Sequence, residues 1–258
     1  MLGKKGVVVF DFDGVIGDSV RECFVQSLNA YADLGGRVAT SKAVEKAFRS
    51  ARPLITKTEH FITVLRLIQE NPRIDFNKMS QQQFDAEHRK DAGNAGRFAE
   101  RFYAHREQMR AISPKEWLAL QKSFPKIAKF VAKVQKKNQV FIATTKDKKS
   151  VTELLRVYGI RIPEKNIVTK EFSKDKKQQL REIARRAGVS IREVLLVEDA
   201  VAQLRQASKI GVRGVLASWG YSTKAQRKEA KGEGIPLMRK ANIFGRVKIW
   251  RAQRRRGK

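Results

Sequence analysis

The sequence is poor in cysteine, histidine and proline. Its one cysteine, Cys23, excludes an intrachain disulfide and a cysteine-bound zinc cluster. The three histidines, His60, His88 and His105, stand far apart, which argues against a histidine metal site. Six prolines and 17 glycines in 258 residues are too few for a collagenous or low-complexity chain. No apolar run approaches the ~18 residues a membrane span needs. The N-terminus lacks the apolar stretch and small-residue cleavage site of a signal peptide. A cytoplasmic protein with no membrane partner is the expectation. Acidic residues are also scarce, 26 Asp+Glu against 55 Lys+Arg, for a formal net charge of +29. Such a chain repels itself and attracts polyanions, phosphate-bearing metabolites and anionic membrane surfaces. Nonspecific nucleic-acid association through the basic surface and the tail at 251–258 is therefore one expected kind of partner.

What is present is an alternation of apolar runs and amphipathic stretches. Gly6-Val7-Val8-Val9-Phe10 has the continuous β-branched character of a parallel strand buried on both faces. From about residue 124 onward, strands at 140–143, 166–169, 194–197 and 212–216 alternate with helical patterns. That is the signature of βαβ units and a parallel sheet. Residues 40–121 show helical spacing without a convincing strand: Phe61, Val64, Leu65 and Ile68 share one face, and Ser41 and Ser113-Pro114 mark helix starts. Gly93-Asn94-Ala95-Gly96 reads as a break between helices. The fold class expected is α/β: a Rossmann-like parallel sheet core, residues 1–18 with 122–258, and an all-helical cap, residues 19–121, inserted after the first strand. Residues 243–250 are apolar enough to pack, and the last few are expected to fray.

In an open parallel sheet, ligands bind beyond the carboxyl ends of the strands. The first strand ends in Asp11 and Asp13, the second in Thr144-Thr145-Lys146, the third in Glu198-Asp199. A Lys-rich loop, Ser173-Lys174-Asp175-Lys176-Lys177, precedes the helix between the latter two. Carboxylates, a hydroxyl and a lysine converging on one edge suit a hard cation such as Mg²⁺ and a phosphoryl group. Taken singly these motifs have ordinary explanations: Asp-x-Asp-Gly as a turn, Thr144-Thr145 or Glu198-Asp199 as helix caps. Their order along the chain outweighs those readings.

The series Asp11-Phe12-Asp13-Gly14-Val15-Ile16-Gly17-Asp18-Ser19, then Thr144, Lys174 and Glu198-Asp199, resembles the haloacid dehalogenase-like superfamily of aspartate-nucleophile phosphatases. The helical insertion after the first motif is similar to the cap of its phosphoglycolate-phosphatase-like and sugar-phosphate mutase branches. The resemblance implies Asp11 as nucleophile, Asp13 as general acid and base, Thr144 as donor to a phosphoryl oxygen and Lys174 as counter-charge. Lys176 and Lys177 are alternatives for the lysine. It implies Mg²⁺ as cofactor, held by Asp11, Asp13, Asp199 and Glu198. The departures are Thr145, where the phosphoglycolate-phosphatase-like branch often has Asn, and Gln203, where many members have a second acid.

The implied function is Mg²⁺-dependent phosphomonoester hydrolysis through an aspartyl-phosphate, on a small substrate such as phosphoglycolate or a sugar phosphate. The alternatives are a phosphosugar mutase, a phosphatase of nucleotide or nucleic-acid ends, and a basic nucleic-acid-binding protein on the same fold. Thr145, Arg49 and Arg52 are candidate substrate-binding residues, with Lys57 and His60 nearby in the cap. The sequence leaves the oligomeric state open.

Overall fold

The computed structural model describes residues 6–239; the apolar segment expected to pack at 243–250 and the basic tail at 251–258 lie outside the described residues. The chain divides into two compact units, Met1–Asp18 with Ser123–Lys258, and Ser19–Lys122. In chain order the elements are β1 (Gly6–Phe10), β2 (Gly17–Asp18), α1 (Val20–Asp33), α2 (Lys42–Ala51), α3 (His60–Glu70), α4 (Gln81–Lys90), α5 (Ala92–Ile112), α6 (Pro114–Ala119) and β3 (Lys122–Ser123). There follow α7 (Ile127–Gln135), β4 (Asn138–Ala143), α8 (Lys148–Val157), β5 (Ile167–Val168), α9 (Lys176–Ala187), β6 (Val194–Glu198), α10 (Val201–Ser208), β7 (Arg213–Ala217), α11 (Lys224–Gly232) and β8 (Leu237–Met238).

The first unit is built on a six-stranded parallel sheet in the order β5-β4-β1-β6-β7-β8. Every residue of β1 is buried, as its β-branched run requires. With right-handed crossovers this order places α7 and α8 on one face and α9, α10 and α11 on the other. Side chains alternate accordingly. Val7 and Val9 pack with Leu180, Ile183, Leu204 and Ala230 of the second layer. Phe10 instead meets Phe130 of α7 edge-on, ring centroids 5.7 Å apart. The register sets Phe10 beside Ile142 and Val197. Asp11, Thr144 and Glu198 therefore leave the sheet at the same edge.

The second unit is helical. Its core is an aromatic run from Phe24 through Phe48 and Phe61 to Phe102, with centroid separations of 5.1, 5.2 and 5.8 Å. Glu22 is buried and accepts two bonds from the Arg106 guanidinium, at 2.7 and 2.8 Å. The side-chain hydroxyl of Ser41 caps α2 by accepting from Val44 N.

The Gly93–Gly96 break is not there: α5 runs through it without interruption. Ala95, Phe98, Ala99 and Phe102 recur at helical spacing and are all buried. Their burial outweighs the ~1 kcal/mol that each glycine costs a helix relative to alanine. Asp91, at the start of α5, also receives Arg66 Nε at 2.9 Å.

Candidate active site

The first motif folds as a tight turn at the end of β1. The carbonyl of Phe12 accepts from Ile16 N and Gly17 N, at 2.8 and 2.9 Å, and Gly14 N donates to the Gly17 carbonyl at 2.8 Å. Gly14 has φ +84°, the left-handed region, and a Cβ there would lie 2.1 Å from Asp199 Oδ2. Glycine is thus needed twice over, for the turn and for the approach of Asp199. Asp11 N donates to the Val197 carbonyl at 2.9 Å, which ties the turn to β6.

Lys176 is the centre of the cluster. Its Nζ is 2.7 Å from Asp11 Oδ1, 2.6 Å from the Ala143 carbonyl and 3.3 Å from Glu198 Oε2. Lys174, the lysine first assigned to the motif, is exposed. The reason is local. Asp175 caps α9 by accepting from Lys177 N at 2.8 Å, so the helix starts at Lys176 and that residue is turned inward. The cap was a readable signal: an Asp followed by a polar, amphipathic helix selects the next residue, not the preceding one.

Electrostatics follow from burial. Burial pushes the Asp11 carboxyl up to about 7, the Glu198 charge adds to this, and Lys176 opposes it. Burial likewise raises Glu198 to about 7 against the pull of Lys176. Burial acts to lower the Lys176 ammonium, but Asp11 and Glu198 together hold it above the ordinary lysine range. One ammonium therefore serves two buried carboxylates.

Asp199 completes the acidic group. Its Oδ2 accepts from Tyr221 N at 2.7 Å, and Glu198 Oε1 accepts from Asp199 N and Ala200 N at 3.1 and 3.2 Å. Asp11, Glu198 and Asp199 are all buried, and each offers an oxygen within 4.8 Å of the others'. The donors are all oxygens, and their charge exceeds that of the one lysine among them. This set fits a hard divalent cation.

Thr144 is buried, and its hydroxyl oxygen accepts from Lys146 N at 3.2 Å, which leaves its proton to donate elsewhere. Thr145, next to it, is half-buried. Gln179 of α9 donates to the carbonyls of Thr144 and Ser173, at 2.8 and 2.7 Å, and so joins the two loops. Asp13 faces Lys146, whose buried Nζ is 3.5 Å from its Oδ1. Arg49 and Arg52 belong to the helical unit: Arg49 is exposed on α2, and Arg52 lies over the Phe61 ring at 5.6 Å. His60 is a core residue of that unit, its Nδ1 accepting from Thr56 N at 3.4 Å, and is no surface ligand.

Sequence reasoning placed Lys146 at the end of the second strand but gave it no role, and it missed Gln179 and the Trp219-Gly220-Tyr221 loop. Trp219 Nε1 donates to the Val15 carbonyl at 3.0 Å, and the Tyr221 hydroxyl bonds Asp18 Oδ1 at 3.2 Å. A Cβ on Gly220 would lie 2.4 Å from both Asp199 Cβ and the Gly14 carbonyl. The loop meets the motif through the Trp219 and Tyr221 side chains and through the backbone at Gly220 and Tyr221.

A family model of haloacid dehalogenase-like hydrolases matches residues 6–211, from β1 through the cluster to the end of α10. The chain belongs to the haloacid dehalogenase-like hydrolases. A predicted phosphoglycolate phosphatase from Haemophilus somnus superposes with a TM-score of 0.64 at 12% identity, over 96% of this chain and 100% of that one. A predicted phosphatase from Clostridium acetobutylicum gives 0.63 at 12% identity, over 95% and 98%. A haloacid dehalogenase-like family protein from Streptococcus pneumoniae gives 0.58 at 12%, over 93% and 95%. At these identities the likeness is one of fold. No curated protein matches in sequence. No helix among the described residues is long and apolar enough to cross a membrane.

Proposed function

We propose that this haloacid dehalogenase-like hydrolase is a phosphomonoesterase that works through Asp11 on a small phosphorylated metabolite, of the phosphoglycolate or sugar-phosphate kind. The observation that carries the reading is the seating of Lys176 between Asp11 and Glu198, with Asp13 two residues beyond the carboxylate that would attack.

In the first step an Asp11 carboxylate oxygen attacks phosphorus, and the bond from phosphorus to the leaving oxygen breaks. Asp13 gives its proton to that oxygen. In the second step Asp13 takes a proton from water as the water oxygen bonds to phosphorus. The acyl phosphate then breaks to return the Asp11 carboxylate and inorganic phosphate. The Thr144 hydroxyl donates to a phosphoryl oxygen, and Lys176 offsets charge on the nucleophile and the transferring group. Asp11, Glu198, Asp199 and the Asp13 carbonyl would hold Mg²⁺. The cation supplies positive charge that lets two anions approach each other. Arg49, Arg52 and Thr145 are proposed to contact the rest of the substrate.

The test is phosphate release from phosphoglycolate, sugar phosphates and mononucleotides, with and without Mg²⁺, in the wild type and in Asp11→Asn. Metal-dependent release that disappears in a folded Asp11→Asn protein is the expected result. Release by Asp11→Asn at the wild-type rate would overturn the reading.

A further inference from the structure

Among the described residues the sheet unit buries two lysines, Lys146 and Lys176, and Lys146 takes no part in the steps above. It lies in the loop between β4 and α8, where its side chain is 1% exposed. Asp147 caps α8 by accepting from Ser150 N at 2.8 Å, and Lys146 N donates to Thr144 Oγ1 at 3.2 Å. The loop is thus held on both sides of Lys146. Because β4 lies beside β1, the ammonium meets the first motif. Its Nζ is 3.5 Å from Asp13 Oδ1 and 5.9 Å from the centre of the Phe12 ring. That ring is fully buried and lies near-parallel to Tyr158, at 6.4 Å and 16°.

Stability does not account for the lysine. Among the described residues Asp13 is the one carboxylate within ion-pair distance of Lys146 Nζ, and the Asp13 side chain is 23% exposed. Lys176, by contrast, has two carboxylates and a carbonyl around it. A buried ammonium loses its hydration, and one partly solvated partner at the limit of hydrogen-bond distance restores little of that loss. An apolar side chain of similar length would suit the packing on Phe12 better.

The two partners also divide in exposure. Asp13 opens to solvent and Lys146 does not, so a substrate can meet the carboxyl but not the ammonium. Any effect of Lys146 on the chemistry passes through Asp13.

We propose that Lys146 is a positioning residue, which holds the Asp13 carboxyl towards the leaving oxygen; the role rests on the phosphomonoesterase reading of Asp11 and Asp13. The turn from Phe12 to Gly17 fixes the Asp13 backbone. A carboxyl has two further torsions, and Lys146 supplies a fixed donor to one of its oxygens. An ammonium only donates, so it takes Oδ1 as acceptor and leaves Oδ2 to face the leaving oxygen. Proton transfer in the transition state depends on that alignment.

The test uses the full chain with Mg²⁺ and compares kcat/KM for two kinds of ester. One is the alkyl phosphate hydrolysed fastest among phosphoglycolate, sugar phosphates and mononucleotides, whose leaving oxygen needs a proton. The other is p-nitrophenyl phosphate, whose leaving group departs as a stable anion. kcat/KM reports the steps through departure of the leaving group, so the shared second step does not enter. In Lys146→Met the value for the alkyl phosphate falls by about 10²-fold, the low end of what a positioned general acid contributes, and that for p-nitrophenyl phosphate by less than about threefold. The ratio of the two is independent of the folded fraction, so partial unfolding cannot produce it. Lys146→Gln, which keeps a donor without the charge, shows the same selectivity to a lesser degree. In an Asp13→Asn background Lys146→Met causes no further loss. Equal losses on the two esters would make Lys146 structural and overturn the proposal. So would unchanged kinetics, or a further loss in the Asp13→Asn background. No release from any ester by the wild type would overturn the phosphomonoesterase reading and this role with it, whereas equal losses overturn the role alone.

Discussion

At the scale of residues, the site is decided by which lysine reaches Asp11. Four of its groups are visible in the sequence because each directly follows an apolar strand: Asp11, Asp13, Thr144 and Glu198-Asp199. The lysine does not follow a strand. It sits in a loop of three lysines, and only the Asp175 cap, which starts α9 at Lys176, separates them. Lys176 is buried against two carboxylates while Lys174 is exposed, so the two substitutions differ in outcome. Lys176→Met lowers kcat for phosphate release by about 10²–10³, the scale of losing one charged stabiliser of the transition state. Lys174→Met stays within a few-fold of wild type. Parallel steady-state kinetics check this, and a larger loss in Lys174→Met would show that the contact with Asp11 is not the catalytic one.

At the scale of elements, legibility follows apolar periodicity. β1, β4, β6 and the helices around them carry enough buried side chains to be read directly. α11 and β8 were not read: α11 buries only Ala230, and β8 is two residues long. The first turn of α5 reads as a break because Gly93 and Gly96 are strong local breakers, whereas the four buried residues at helical spacing act only once the helical core is assembled. α3 contains a further element-scale property. Burial pushes His60 down to about 4, with His88 and Lys57 adding to the shift and the Leu54 carbonyl and Asp85 opposing it. His60 is 4.5 Å from the His88 ring and 5.4 Å from Phe84, centroid to centroid. The folded pKa lies below the unfolded value of about 6.5, so the unfolded chain binds the extra proton. The stabilisation is complete above pH 6.5 and is lost as pH falls towards 4, by up to about 3 kcal/mol. Amide hydrogen exchange of α3 against pH measures it: protection declines through this window in the wild type and declines less in His60→Gln. Flat protection from pH 7 to 4 would exclude the effect.

At the scale of the whole molecule, the position of the site was legible because a parallel sheet aligns its strand ends. Once β1, β4 and β6 are adjacent, their following residues meet whatever the surface does. The net charge has no such bearing on the fold, and its distribution is uneven. Residues 19–122 carry 18 Lys+Arg against 12 Asp+Glu, while the rest of the chain carries 37 against 14. Most of the repulsion therefore lies within the sheet unit and the sequence attached to it. Repulsion among like surface charges opposes the compact state and is screened over ~10 Å at 0.1 M salt. Raising KCl from 0.05 to 0.5 M should therefore raise the thermal midpoint by a few degrees, equivalent to roughly 1 kcal/mol for a chain of this size. Surface ion pairs such as Arg185–Glu182 are weakened by the same salt, but exposed pairs contribute little. A midpoint that falls with KCl would mean that these pairs, and not the excess of positive charge, dominate the surface electrostatics.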